Sequence, residues 1–311
     1  MEQEKLEKIG LVTLDGTWYA GEDLYSDGDV EEELLDIVKT YPEEAYSQVI
    51  RERKSWPVLY HLSHLRGNIV RYLPLEGTER VLEIGAGCGA VTGTLAGKAG
   101  HVTCIDLSRR RCRINAWRNR QRDNLDILVG NFEDIAPHLT EQYDLVTLIG
   151  VFEYAAWYLH SPRPFEDFLT RTLALVRPGG CLLIAIENRL GLKYFAGCRE
   201  DHLGRLYAGV EGYSQQDRVR TFSRREWEEL LRAHPSVTSR FLYPWPDYKL
   251  PTALYSDAFL PTEGELTDTR RNFDQDRLLT FEEGRVWDSL LREGLFPAFS
   301  NSFLIELRKE A

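Results

Sequence analysis

Glu83, Gly85, Gly87 and Gly89 alternate with Ile84, Ala86 and Cys88, directly after the apolar pair Val81-Leu82. A buried strand that ends in a carboxylate and turns through spaced glycines can hold a ligand against bare backbone. No Cβ stands in the way, and positive φ is allowed. Ahead of a helix, such a loop brings N–H groups beside a nucleotide-like ligand. The spacing is not the Gly-x-Gly-x-x-Gly of a pyrophosphate site, and no Gly-Lys-Ser/Thr follows for a triphosphate. An acidic residue at the head of the loop repels phosphate and suits a cation that carries an amino group and a sulfonium. Taken alone, the same glycines would also make an ordinary strand-to-helix turn.

Their setting narrows the choice. The run His101-Val102-Thr103-Cys104-Ile105-Asp106 predicts a second strand with a carboxylate at its tip. A ribose diol is gripped at such a tip, about 20 residues beyond the glycines. Residues 125–129 predict a third strand leading into Asn131 and Phe132, and residues 143–149 a fourth that runs into Gly150, Glu153 and Tyr154. A fifth, 180–186, leads into Glu187 and Asn188. In open α/β sheets ligands gather beyond the carboxyl ends of the strands. Glu153 at the fourth tip therefore reads as a general base, a hold on a hydroxyl or amine, or equally a helix cap.

From 187 to 214 the chain is rich in Gly, Tyr, His and charge, and a loop of that length at the active edge carries function. Glu187, Asn188, Tyr194, His202 and Tyr213 are its acceptor-side candidates. His202 leads as a base, since imidazole takes a proton near neutral pH. Glu200-Asp201-His202 also reads as a metal triplet, but adjacent residues seldom converge on one ion, and no metal is expected. The proline-aromatic stretch 244–261 predicts a second acceptor-side loop, with Asp247, Tyr248 and Lys249 as contacts; its alternative is a rigid lid.

With these residues in that order, the chain resembles the class I S-adenosylmethionine-dependent methyltransferases over residues 80–186, and more loosely to its end. The resemblance implies that Glu83, Gly85, Ala86, Gly87 and Gly89 cradle the methionine part of S-adenosyl-L-methionine. It gives Asp106 the ribose hydroxyls, Asn131 and Phe132 the adenine, and Leu107 a cover for the adenine face, with Gly150 at the fourth tip. The run Ile186-Glu187-Asn188-Arg189-Leu190-Gly191-Leu192-Lys193-Tyr194-Phe195-Ala196-Gly197 resembles a bacterial subgroup met among glycan and surface-polysaccharide genes. The fold so implied is α/β: a Rossmann-like, mostly parallel seven-stranded sheet with helices on both faces. A closing strand at 300–307 would lie antiparallel between the fifth strand and a sixth at 237–243. The activity implied is methyl transfer to a small-molecule or saccharide acceptor, on oxygen. The alternatives are a protein- or RNA-directed methyltransferase, or a non-catalytic cofactor-binding module in a glycan-building complex. An Asn/Asp-Pro-Pro-Tyr sequence, which would mark amide or nucleobase amino methylation, is missing from the fourth tip.

The elements that must position these residues are legible in outline. Residues 1–75 predict an N-terminal helical cap or extension, and 76–311 the catalytic domain, with insertions at about 187–220 and 245–298. Asp15-Gly16 predicts a hairpin turn. Leu62, Leu65, Ile69 and Leu73 predict a helix over 60–73. Seven arginines between 109 and 122 predict a solvated helix face with acidic partners. Ser223 and Glu226 predict a capping box.

The 311 residues carry a formal charge of −11, which argues against binding to nucleic acid or an anionic membrane. Five scattered cysteines and an N-terminus without a basic start or an apolar core point to a reduced, cytoplasmic setting. No apolar run reaches the roughly 18–20 residues that span a bilayer.

Overall fold

The computed structural model describes residues 5–23, 25–269 and 276–311. The chain gathers into two compact units. One holds Met1–Ile149, Thr170–Leu182 and Ala311; the other holds Gly150–Leu169 and Leu183–Glu310. Ten strands are present among the described residues, not the seven expected: β1 (Leu6–Ile9), β2 (Val12–Trp18), β3 (Arg80–Ile84), β4 (His101–Asp106), β5 (Leu125–Gly130), β6 (Tyr143–Ile149), β7 (Val176–Glu187), β8 (Val237–Trp245), β9 (Ala253–Ser256) and β10 (Ser302–Lys309). The additions are the N-terminal hairpin and β9.

In the first unit the strand order is β1-β2-β5-β4-β3-β6, continued by the first part of β7. β3 runs parallel to β4 and to β6, with Leu82 level with Thr103 on one side and Val146 on the other. β5 runs parallel to β4, and β2 parallel to β5. Val81, Leu82, Val102, Cys104, Ile127, Val146 and Leu148 are all sealed from solvent, the unbroken apolar run that a parallel strand covered on both faces requires. The chain steps to opposite sides of β3, which makes its carboxyl end the switch point of a Rossmann-like α/β sheet.

The hairpin turns at Gly10-Leu11, not at Asp15-Gly16. Gly10 has φ +62, and a Cβ there would lie 2.1 Å from the Arg120 carbonyl oxygen, so only glycine fits. Asp15 instead accepts the Thr17 N–H at 2.8 Å, and the register of β2 on β5 shifts between Asp15 and Trp18. The helix expected over 60–73 is broken. It runs Trp56–Leu62, stops where Ser63 turns extended and accepts the Leu65 N–H, and resumes at Asn68–Arg71. The arginine-rich helix Arg109–Arg118 is less solvated than its composition suggests. Arg111 is bound to Asp27 and Glu31, and Arg118 to Glu43, both guanidiniums being largely covered.

In the second unit the rest of β7 is followed by β10, β8 and β9. β10 lies between β7 and β8, antiparallel to β8, with Ile305 opposite Phe241. The segment after β7 is short elements and not an open loop: helices Leu192–Phe195 and Ala208–Glu211, with a bridge from Arg199 to Leu206. Ser223 and Glu226 form the expected capping box on Arg224–Leu231. Phe152 packs against Phe165, Phe168, Phe222 and Trp227. No helix among the described residues is long and apolar enough to cross a membrane.

Candidate functional site

The candidate residues form two constellations, one in each unit. In the first, the chain leaves β3 through Gly85, Gly87 and Gly89, whose φ angles are +72, +51 and +76. The loop is fastened to the tip of β4. The N–H groups of Gly85 and Ala86 donate to the Ile105 carbonyl at 2.7 and 3.2 Å. Gly87 N–H donates to Asp106 Oδ2 at 2.8 Å, and Ser108 N–H to Asp106 Oδ1 at 2.9 Å. Each Asp106 oxygen thus orders backbone and keeps a second lone pair. Burial raises its pKa, and the Arg111 guanidinium together with the two N–H groups opposes the rise.

Behind the loop runs a chain of buried polar groups. Cys104 Sγ and Thr92 Oγ1 donate to Glu83 Oε2 at 3.4 and 2.6 Å. Asn115 donates to Thr92 Oγ1 at 3.0 Å, and Asn119 to Asn115 Oδ1 at 2.8 Å. Burial pushes the Glu83 carboxyl up to about 7, against the pull of the Thr92 and Cys104 hydrogen bonds. Ala86 and Phe132 are buried, and Leu107 is half-buried in the turn after Asp106. Asn131 caps the helix Phe132–Ile135, its side-chain oxygen accepting the Glu133 N–H at 3.3 Å. Thr92, Asn115 and the Arg111 guanidinium beside Gly87 escaped sequence reasoning. The one signal was Thr92 just past the glycines, a polar residue where a covered helix face was due.

The second unit brings Glu153, Glu187 and His202 together. Glu153 sits in the tight turn Phe152–Tyr154 and Glu187 ends β7. His202 is held by Glu200, whose Oε2 accepts the His202 N–H at 2.9 Å. His202 Nε2 lies 3.4 Å from Glu187 Oε2 and 3.9 Å from Glu153 Oε1, while Nδ1 meets the Tyr154 hydroxyl at 2.9 Å. Both glutamates are 0% exposed. Lys249 pairs with Glu187 at 2.8 Å and also with Asp201. Lys193 binds Asp201 at 2.8 Å and lies 3.8 Å from Asp247. Tyr194 donates to Asp201 at 2.6 Å, and Tyr213 to Glu200 at 2.9 Å.

These contacts split the two glutamates. Burial, then the Glu187 charge, pushes Glu153 up to about 8. Burial acts on Glu187 in the same sense, but Lys249 and His202 outweigh it and hold that carboxyl well below its usual range. His202 is raised to about 9, because Glu187 and Glu153 overcome the burial that favours the neutral ring.

With both ring nitrogens engaged, His202 does not present the free lone pair its role as sole base requires. Asn188 is a backbone clip: its amide donates to the carbonyls of Ala298 and Ser300 and accepts the Leu190 N–H. Asp247 Oδ1 accepts the Lys249 N–H at 2.8 Å. Tyr248 is buried over Gly150, where a Cβ would meet its hydroxyl at 2.7 Å. Gly150 belongs to the second unit, under Tyr248. Nothing in the run 186–197 marks Lys193 as the partner of Asp201.

Residues 82–182 match a family described as a methyltransferase domain. Ubiquinone biosynthesis O-methyltransferase of Aeromonas salmonicida (strain A449) is 32% identical over 114 residues, 36% of this chain and 44% of the relative. The enzyme of that name from Xanthomonas campestris pv. campestris (strain B100) is 25% identical over 170 residues, 53% of this chain and 67% of the relative. The chain thus spans less than half the length of the first of these relatives. Among solved structures, a Haemonchus contortus phosphoethanolamine N-methyltransferase 1 bound to phosphoethanolamine and S-adenosylhomocysteine aligns at TM-score 0.48 and 18% identity. It covers 93% of this chain and 52% of its own. That likeness is too loose to bear on the chemistry.

Proposed function

We propose that this chain is an S-adenosyl-L-methionine-dependent methyltransferase that acts on the oxygen of a small-molecule or saccharide acceptor. The observation that carries the reading is the β3 loop. Glu83 and the three left-handed glycines fall where the methyltransferase-domain match begins, and Asp106 closes the loop from the neighbouring strand tip. Glu83, Gly85, Ala86, Gly87 and Gly89 receive the methionine part, Asp106 the ribose, and Asn131, Phe132 and Leu107 the adenine. A buried acidic group at the head of the loop favours the cofactor's cationic end.

Methyl transfer from a sulfonium is an in-line displacement. The acceptor oxygen attacks the methyl carbon, the carbon–sulfur bond breaks, and the electron pair stays on sulfur. The protein has to align the two reactants and exclude water, and a hydroxyl acceptor must lose its proton. That task is assigned to the cluster of Glu153, Glu187 and His202, with Tyr154, Tyr194, Tyr213, Asp247 and Tyr248 around the acceptor. The O-methyltransferase relatives support oxygen as the methylated atom, and the run 186–197 supports a glycan-related acceptor.

The test uses S-adenosylmethionine with a labelled methyl group, incubated with the purified chain and fractionated metabolites, glycans, protein and RNA. Label in the metabolite or glycan pool that disappears in Asp106→Ala is the expected result. Label confined to protein or RNA would replace the acceptor class, and cofactor binding with no transfer to any pool would favour the non-catalytic module.

A further inference from the structure

The second unit's cluster has a feature that the transfer reaction does not explain. Three acceptor atoms converge within 4.8 Å of one another: one carboxylate oxygen from each of Glu153 and Glu187, and a ring nitrogen of His202. Neither oxygen of Glu153 has a hydrogen-bond partner, although the residue is 0% exposed. A buried carboxyl with no hydrogen bond, approached by the His202 ring only to 3.9 Å, is costly, so a group that satisfies it is called for.

We propose that Glu153, Glu187 and His202 bind one divalent transition-metal cation, Zn²⁺ or Mn²⁺ in chemical class. Geometry, charge and the outer contacts each support it. Ligands about 2.0–2.2 Å from a tetrahedral ion stand about 3.4 Å apart. His202 Nε2 and Glu187 Oε2 are already 3.4 Å apart, and Glu153 Oε1, at 3.9 Å from Nε2, has to close by about half an ångström.

The surrounding charge leaves room for a cation. Among the described residues, the carboxylates of Glu153, Glu187, Asp201 and Asp247 pair with Lys193, Lys249 and the His202 ring, four acids to three bases.

Outer contacts orient the donors. With Nδ1 held by the Tyr154 hydroxyl at 2.9 Å, Nε2 faces the two carboxylates, and the ion takes the place of the Nε2 proton, the outer contact typical of metal-binding histidine. Lys249 grips Glu187 by Oε1, which leaves Oε2 for the ion. One nitrogen and two oxygens favour a first-row transition ion over Mg²⁺ or Ca²⁺, which prefer oxygen alone. His202 is the least enclosed of the three and marks the way in.

The ion would occupy the same three side chains to which proton removal is assigned, but its test reads metal binding and not methyl transfer, so the two readings fail separately. A His202 ring protonated on both nitrogens would fill the same space without metal, and the experiment separates the two. The full chain is stripped with chelator and titrated with Zn²⁺ and Mn²⁺ by calorimetry, with metal content measured after dialysis. The expected result is one equivalent per chain, a higher unfolding temperature, and affinity at least 100-fold weaker in Glu153→Gln. Tyr154→Phe, which keeps all three donors, should weaken binding by about 10–100-fold. Co²⁺ loaded into the wild type should give a visible spectrum that is lost in His202→Gln. Absence of stoichiometric binding by the wild type overturns the proposal, whether or not the variants fold. Binding that survives Glu153→Gln undiminished overturns it as well.

Discussion

Glu83 and Glu153 are both carboxylates shut away from water, and burial raises both, to about 7 and about 8. Their surroundings differ. Glu83 stands at the head of a hydrogen-bonded chain through Thr92, Asn115 and Asn119, so its oxygen is ordered by neutral donors. Glu153 has no such donor and looks out on Glu187 and His202. The first region is built from backbone and amides and is complete as it stands. The second is built from opposed charges, and its balance leaves one carboxylate unsatisfied. A completed polar network rigidifies a loop, whereas a buried carboxyl left without a hydrogen bond is costly.

If the second region is held by charge, removing one cation should be the most damaging change. Among the described residues, Lys249→Met leaves buried Glu187 with the His202 ring as its one cation and Asp201 with Lys193 and Tyr194, and is expected to cost about 3 kcal/mol, read from urea unfolding. A loss below about 1 kcal/mol would mean that water already reaches these groups.

The first region should break through backbone geometry. Gly89→Ala puts a Cβ 2.4 Å from Asn115 Oδ1 at φ +76. Asn115 cannot move without releasing Thr92, so a loss of about 2–4 kcal/mol is expected. Gly87→Ala meets nothing closer than Arg111 at 3.9 Å and tests φ alone. It should cost about half as much.

Titration of Glu83 gives the comparison a pH axis. Its folded pKa of about 7 lies above the ordinary 4.5, so folding favours the protonated form. This contribution to stability is fully present below pH 4.5 and is lost as pH rises through 7. Relative to Glu83→Gln, the wild type should lose up to about 3 kcal/mol between pH 4.5 and 8. Parallel curves for the two proteins would show that Glu83 is ionised throughout.

Asp106→Ala removes the acceptor that Gly87 and Ser108 share. S-adenosylmethionine affinity should fall on the order of 30-fold, about 2 kcal/mol, by calorimetry. Thr92→Val is the mildest change, expected at about 1–2 kcal/mol, since it deletes one donor to Glu83 and strands Asn115.

Much of the first region was legible because it is local. Glycines that need positive φ, a carboxylate at a strand tip and the apolar runs between them are all written within a few residues of one another. Where local rules misled, a distant backbone had intervened. The Asp15-Gly16 turn lost to Gly10, because the Arg120 carbonyl sits where any Cβ at position 10 would be. Asn188 reads as an acceptor contact until the carbonyls of Ala298 and Ser300 take its amide.

The positions of the core strands along the chain, the glycine loop and Asp106 follow from the sequence alone, since period, spacing and residue type there dictate local conformation. The pairing of Lys249 with Glu187 and Asp201, the isolation of Glu153 and the aim of His202 follow only from the folded chain. Positions 153, 187, 202 and 249 are far apart along the sequence. Charge interactions in a buried site depend on separations of a few ångströms, and no pattern in the sequence encodes those.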